Sequence, residues 1–444
     1  MKKLLLIIAT HLFPLVFCSA QTFHGNWNGQ ISIGGQKLTL VFHIKPDTCT
    51  LDSPDQGARG IPAVIGLQTN DSIQIKIPQI GAAYNGKKNG ETIVGKFMQR
   101  GYSFPLTLSP GNGERNRPQT PKGPFDYNTK EITFKNNIDG TILAGTLTTP
   151  KITTEKTPVV LLVTGSGLQN RDEEIFEHKP FAVIADFLAK RGIASLRYDD
   201  RSIGKSTGDA TKATTEQFRQ DAEAGILYLR KVEKFKKVGV IGHSEGGIIA
   251  YLLGASKNAD FIISLAGPTE SGKKLLLEQN RLVLKSQGIP QQTADDYVKV
   301  LEQVFDLRIQ GTELSNPKKT IQEIIDNCNV TLPPTLQNNL ALVLAHDAWT
   351  DYFLSLDPTE NIKKMKCPAF LLNGDKDIQV PAELNIRNTL HLKNKKSKTK
   401  IYPGLNHLFQ HCTTGTINEY KEIEETISVE VLEDISNFIQ NLTM

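Results

Sequence analysis

Ser244 lies in V-G-V-I-G-H-S-E-G-G, Val238 to Gly247, where a short apolar run meets glycines and is followed by Ile248, Ile249, Leu252 and Leu253 at helical spacing. A strand, a sharp turn and a helix in that order lift a serine hydroxyl out of the backbone, the placement that nucleophilic attack needs. A hydroxyl is a poor nucleophile until a base takes its proton, so the turn calls for a histidine and for a carboxylate to orient it. The same five-residue pattern recurs around Ser206 in G-K-S-T-G, but there it follows the polar run Asp199-Asp200-Arg201-Ser202 and reads as a loop. It is no phosphate-binding loop either, because Asp199 stands where the first glycine is required.

In a turn of this kind the chain order is serine, acid, histidine. Downstream of Ser244 the acids at a strand exit are Asp375 and Asp377, in F-L-L-N-G-D-K-D-I-Q-V-P. Asp377 is preferred because an acid needs a short reach beyond Gly374 to turn toward the serine, and Asp375 reads as a turn residue. Of the histidines, His407 follows the strand Lys398 to Tyr402 within P-G-L-N-H-L-F and is the expected base. His411 is its rival, His346 falls in a helical stretch, and His391 opens the solvated run L-K-N-K-K-S-K-T-K. A tetrahedral oxyanion needs backbone donors. The amide of Glu245 is one candidate, and the turn after Val163 offers Ser166 or Gly167 as the other, with the choice open. Arg171, Asp172, Asp200 and Arg201 read first as two oppositely charged loop pairs bracing one another beneath a pocket, with a direct substrate contact by Arg171 the lesser reading.

The elements that must position these groups divide the chain. Residues 21–108 alternate apolar and polar, as in Leu38, Leu40, Phe42 and Ile44 after Gly34-Gly35, and in Ile73, Ile75 and Ile77, which predicts a small antiparallel β domain, a sandwich or a barrel. Residues 109–124, rich in Pro, Gly and charge, read as a linker. Residues 125–444 begin with a hairpin, Glu131 to Phe134 and Thr141 to Leu147, turning at Asp139-Gly140. Strands then alternate with helices, predicting a mainly parallel sheet covered on both faces. One of those helices opens on a capping box, Thr214 with Gln217. Residues 270–354 interrupt the rhythm with consecutive amphipathic helices and read as an inserted cap over the strand ends, where pockets form.

At 444 residues, 39% apolar and 22% charged, the chain has material for two domains. The formal charge of +4 includes Lys2 and Lys3, leaving about +2 without them, a balance that gives no reason to invoke nucleic acid. Residues 1–20, with Lys2-Lys3, apolar runs broken by His11 and Pro14, and Cys18-Ser19-Ala20, read as a secretory signal cleaved after Ala20. The protein is therefore expected in the periplasm or outside the cell. Lipidation at Cys18 is the lesser reading, because the bulky Phe17 precedes it. Cys49, Cys328, Cys367 and Cys412 are scattered and read as small apolar side chains, with neither a disulfide framework nor a metal site signalled, and no cofactor is called for.

The combination of G-S-G-L-Q-N-R-D-E from Gly165, R-Y-D-D-R-S-I-G-K-S from Arg197, G-H-S-E-G-G from Gly242, W-T-D-Y-F-L-S-L-D-P from Trp349, N-G-D-K-D-I-Q-V from Asn373 and G-L-N-H-L-F-Q from Gly404 resembles the α/β-hydrolase superfamily, and within it the secreted bacterial esterase-like hydrolases with a β-rich N-terminal domain. The resemblance covers nearly the whole chain after the signal. It implies an α/β-hydrolase fold with a helical cap and Ser244, Asp377 and His407 as triad, while Ser202 departs from the glycine usual there. The expected activity is cleavage of a small-molecule carboxylic ester through an acyl-enzyme. Two alternatives stand beside it: a serine exopeptidase or amidase on the same residues, and a non-catalytic glycan-binding protein whose β domain stacks sugars on Trp27 and Tyr84, although Trp27 reads more readily as core.

Overall fold

The computed structural model describes residues 23–33, 36–312 and 316–443. The expected signal at 1–20, with Cys18 and Ala20, and the glycine pair at 34–35 lie outside the described residues. The chain forms two compact units, one ending at Arg115 and the other beginning at Asn116.

The first unit is a closed antiparallel barrel of β1 (Gly25–Ile33), β2 (Gln36–Ile44), β3 (Cys49–Ser53), β4 (Ala58–Gln68), β5 (Ser72–Ile77), β6 (Ala82–Asn89), β7 (Thr92–Gln99) and β8 (Tyr102–Pro110). Period-two alternation drives it: Ile73, Ile75 and Ile77 point inward and Ile75 faces Tyr84 across the ladder. Eight strands enclose a space that side chains can fill, and Phe42, Leu51, Ile93, Phe97 and Leu108 fill it. Tyr84 is fully buried, its hydroxyl donating to Ile93 O at 2.9 Å, and Trp27 is buried with its indole N–H on Phe23 O at 2.7 Å. Both rings belong to the barrel core, so neither can serve as the sugar platform of the glycan-binding alternative. Alternation alone does not tell which face of a strand is wet.

The stretch 109–124 also needs correction. Ser109 and Pro110 pair with Asn28 and Trp27 to close the barrel, and from Asn116 the chain is part of the second unit. Arg117 is buried there, donating to the carbonyls of Phe176, Lys421 and Ile423 at 2.8–3.2 Å. Gln119 bridges the backbone of Ile427 in both directions. Composition spoke against apolar burial, but a guanidinium with five donors can be buried when carbonyls satisfy it.

The second unit is built on an eight-stranded sheet. A hairpin of β9 (Tyr127–Lys135) and β10 (Ile142–Pro150) is followed by β11 (Val159–Val163), β12 (Ala194–Tyr198), β13 (Val238–His243), β14 (Phe261–Leu265), β15 (Ala369–Gly374) and β16 (Lys398–Tyr402), in spatial order 16-15-14-13-11-12-10-9. The hairpin and its junction with β12 are antiparallel and the remaining pairs parallel. β11, β13 and β14 are buried along their whole length, as continuous apolar runs predict for strands covered on both faces.

The helices are α1 (Pro180–Ala189), α2 (Thr215–Lys231), α3 (Glu245–Ala255), α4 (Gly272–Ser286), α5 (Gln291–Ile309), α6 (Pro317–Cys328), α7 (Pro334–Val343), α8 (Ala348–Ser355), α9 (Thr359–Lys364), α10 (Ala382–Ile386), α11 (Ile417–Tyr420) and α12 (Val429–Thr443). α2 and α3 bury Ala222, Leu229, Ile249 and Leu253 on one face of the sheet. Phe181, Ile184, Leu432 and Ile435 of α1 and α12 cover the other. α2 starts where the capping box at Thr214 and Gln217 satisfies the first amides. Among the described residues α4 to α8 follow β14 without a strand, and Val298, Leu301, Val304, Ile321 and Ile325 form their own apolar core. Buried Arg308 ties α5 to α8 through Asp351 at 2.8 Å and Asp347 at 3.0 Å.

Candidate active site

β13 meets α3 at Ser244, whose φ of 52° and ψ of −118° are disfavoured for a side chain with a Cβ. The turn is held by Ser244 N–H on Leu265 O and by Gly247 N–H on Ser244 O, both 2.8 Å. It closes only over glycine: a Cβ on Gly242 would sit 1.9 Å from Gly246 O, and one on Gly246 would sit 2.1 Å from Val163 O. Ser206 is used differently. Its buried hydroxyl donates to Asp199 O and accepts from Ala144 N–H, which makes it a brace within its loop.

The loops after β15 and β16 bring Asp377 and His407 together, Oδ2 lying 2.7 Å from Nδ1. Asp377 Oδ1 accepts from the amides of Gln379 and Val380 at 2.8 and 2.9 Å, so the buried carboxylate is anchored before it meets the ring. Asp375 instead accepts from Gly404 N–H at 2.7 Å in an exposed turn. His346 pairs with Asp351 in the cap, His391 is exposed, and His411 pairs with Glu425 on the surface. With Nδ1 on Asp377, His407 keeps Nε2 as the ring nitrogen for a substrate-side proton. Ser244 and His407 line one cavity of about 250 Å³. No hydrogen bond joins their side chains among the described residues, a contact that commonly tightens only once substrate is bound.

Between β11 and α1 the chain passes beside Ser244. Gly165 N–H is consumed by Glu173 Oε1 at 2.7 Å. Ser166 lines the Ser244 cavity, whereas Gly167, with φ of 91°, lines a smaller neighbouring one beside Asp200. Glu245 N–H opens α3, where helix amides lack intrahelical partners. Asp200 holds this turn at both ends, accepting from Thr164 Oγ1 at 3.0 Å and from Gln169 N–H at 2.8 Å. Burial pushes its carboxyl up to about 8.

The charged loop residues do brace, but with partners other than one another. Arg171 binds Asp199 at 2.7 Å and Glu131 at 2.7 Å, Asp172 binds Arg197, and Arg201 binds Asp221 at 2.8 Å and Asp139 at 3.0 Å. Arg171 is not among the residues lining the cavity. Neighbours in sequence on a tight loop point to different sides, and each finds its opposite charge on another element.

A family model described as X-Pro dipeptidyl-peptidase (S15 family) matches residues 139–412, well over half of the chain. The chain belongs to this family. Esterase EstD of Thermotoga maritima is 26% identical over 289 residues, which cover 64% of this chain and 61% of that relative. The bifunctional esterase/perhydrolase DCH of Acinetobacter calcoaceticus is 26% identical over 253 residues, 52% of this chain and 82% of that one. Among solved structures, the Pyrococcus furiosus esterase Pf2001 aligns at 17% identity and a TM-score of 0.43 over 74% of this chain and 99% of that one.

In this S15-family chain three further groups reach the site that residue patterns did not single out. Glu173 Oε1 accepts from His243 Nδ1 at 2.9 Å, and His243 Nε2 donates to His407 O at 3.0 Å. Burial opposes charge on His243, but the Glu173 carboxylate and the His407 carbonyl outweigh it and raise its pKa. The third is the side chain of Glu245, buried and raised in pKa by that burial, while hydrogen bonds from Thr215, Trp349 and Ser166 oppose the shift. The signal for them in the sequence was position: His243 and Glu245 flank Ser244, and Glu173 ends the G-S-G-L-Q-N-R-D-E segment.

Proposed function

We propose that this S15-family protein is a serine hydrolase of small, uncharged carboxylic esters, acting through an acyl-enzyme on Ser244. His407 Nε2 takes the Ser244 proton as Oγ attacks the ester carbonyl, and Asp377 holds the ring in the tautomer that allows this. The amides of Glu245 and Ser166 bind the oxyanion, Ser166 being favoured over Gly167 because it lines the cavity. The protonated His407 returns the proton to the departing alcohol. It then draws a proton from water, whose oxygen attacks the acyl carbon, and passes that proton to Ser244 Oγ as the acyl–Oγ bond breaks and the acid leaves.

The observation that carries the preference for esters is the engagement of the two carboxyls in the cavity wall. Glu173 is taken by Gly165 and His243, and Glu245 by Thr215 and Trp349. Both oxygens of Glu245 are engaged and the Glu173 carboxylate is paired with the His243 ring, so neither offers an uncompensated charge to the ammonium end of a peptide. Much of the rest of the wall is apolar or uncharged, with Leu275, Phe353, Val380 and Gln279 among it, and about 250 Å³ lies just below the usual span of ligand pockets, about 300–1,000 Å³, which suits a short acyl group.

The family match favours a second reading, an exopeptidase or amidase on the same triad. Kinetics on aryl esters of graded acyl length beside aminoacyl and X-Pro arylamides separate the two. Short esters are expected to exceed the amides at least 100-fold in kcat/KM, and a reversed order would make the protein a peptidase. The glycan-binding reading loses its aromatic platforms with Trp27 and Tyr84 buried. Export to the periplasm or beyond rests on residues 1–20, and a mature N-terminus at Gln21 is the expected result of N-terminal sequencing.

A further inference from the structure

Three segments far apart in the chain meet at His243. Its Nδ1 donates to Glu173 Oε1 at 2.9 Å, its Nε2 donates to the backbone carbonyl of His407 at 3.0 Å, and its ring packs on the His407 ring with centroids 4.7 Å apart. The same Glu173 oxygen accepts from Gly165 N–H at 2.7 Å, the residue before Ser166. One carboxylate and one imidazole thus connect the turn carrying Ser166, the strand delivering Ser244 and the loop carrying His407. The backbone is bent to make this possible. Glu173 has φ of 52° and Phe409, two residues beyond His407, has φ of 61°, and both are buried. Left-handed conformations in such residues persist only where surrounding contacts impose them.

We infer that Glu173 and His243 form a positioning pair that sets the His407 backbone and the oxyanion turn in register with Ser244. The inference rests on the proposed hydrolysis at Ser244. Asp377 orients the His407 ring from one side, and His243 locates its main chain from the other. The pair touches no reacting atom. It acts by restricting where Nε2 and the Ser166 amide stand, and a displacement near 1 Å at such groups can cost about 100-fold in rate.

The test compares Glu173→Gln, Glu173→Ala, His243→Gln and His243→Phe in the full-length protein, with rates on an activated short-chain ester expressed per site titrated by a serine-directed phosphonate. Glu173→Gln keeps an acceptor for Gly165 N–H and a polar partner for His243, so its kcat should stay within about tenfold of wild type. Glu173→Ala and His243→Phe should lose about 100-fold in kcat with KM changed less than about threefold. His243→Gln, which can still donate to His407 O, should recover part of what His243→Phe loses. If Glu173→Ala or His243→Phe lowers thermal stability yet retains wild-type kcat per titrated site, the pair is a structural ion pair and the inference fails. Should Glu173→Ala not fold, the contrast between His243→Gln and His243→Phe decides alone, equal kcat in the two overturning the inference. Wild-type protein that neither turns over ester nor takes up phosphonate would instead sink the hydrolase reading.

Discussion

The indole N–H of Trp349, on helix α8 of the cap, lies 3.0 Å from both carboxylate oxygens of Glu245, the residue after Ser244. Thr215 at the start of α2 donates to the same carboxyl at 2.6 Å. The cap is therefore fastened to the first turn of the helix that presents the serine.

Trp349→Phe should keep the stacking on Phe353, now 4.9 Å between centroids, while stripping a donor from a buried carboxyl. A lost partner for a buried polar group costs about 1–3 kcal/mol. Urea unfolding should show a loss in that range, and ester kinetics a higher KM because the cap wall is loosened. Unchanged stability and KM together would mean that the bond does not fasten the cap.

Ser244→Ala should fold as wild type, by circular dichroism and melting temperature, and lose about 10⁵- to 10⁶-fold in ester turnover. Asp377→Asn should cost about 10³- to 10⁴-fold in kcat with KM little changed, because an amide at 377 favours the wrong tautomer of His407. Steady-state kinetics check both. Residual activity near wild type in either variant would reject the proposed triad.

Arg201→Met should be strongly destabilising. The buried guanidinium meets Asp221 through two bonds of 2.8 Å, and Asp221 is itself buried with Asn136 at 2.8 Å. Removing one partner of a buried pair costs about 3–5 kcal/mol, whereas replacing both by apolar groups costs far less. Denaturant curves for Arg201→Met and for Arg201→Met with Asp221→Leu should differ accordingly. Equal loss in the two would show that the space, not the uncompensated charge, sets the penalty.

Asp200 supplies a pH dependence. Its folded-state pKa of about 8 lies far above the ordinary carboxyl value near 4, burial being the main cause, so the native state binds this proton more tightly than the unfolded chain does. The resulting stability is complete below about pH 4 and is lost as pH rises through about 8. Between pH 7 and 9 wild type should lose about 1 kcal/mol more than Asp200→Asn, which keeps the contacts to Thr164 and Gln169 without a titrating proton. Parallel stability profiles from urea unfolding would show that Asp200 is already charged in the native protein.

Local spacing decided what the sequence by itself could determine. Alternation at 73, 75 and 77 specifies a barrel strand because side chains on a strand repeat every second residue, and glycines at 242 and 246 specify a turn because any Cβ there strikes backbone. The residue types of a proton relay and their order along the chain are equally local facts. Only the tertiary structure decided which side chains meet. Glu173 and His243 are 70 residues apart, Glu245 and Trp349 are 104 apart, and Arg171 passes over its neighbour Asp172 to bind Asp199. The same holds for Arg117, whose Pro- and Gly-rich surroundings hide a carbonyl-lined niche, and for Trp27 and Tyr84, which face inward only because the barrel closes. Pairing across distant loops depends on how the strands are ordered in the sheet, and periodicity along the chain carries no record of that order.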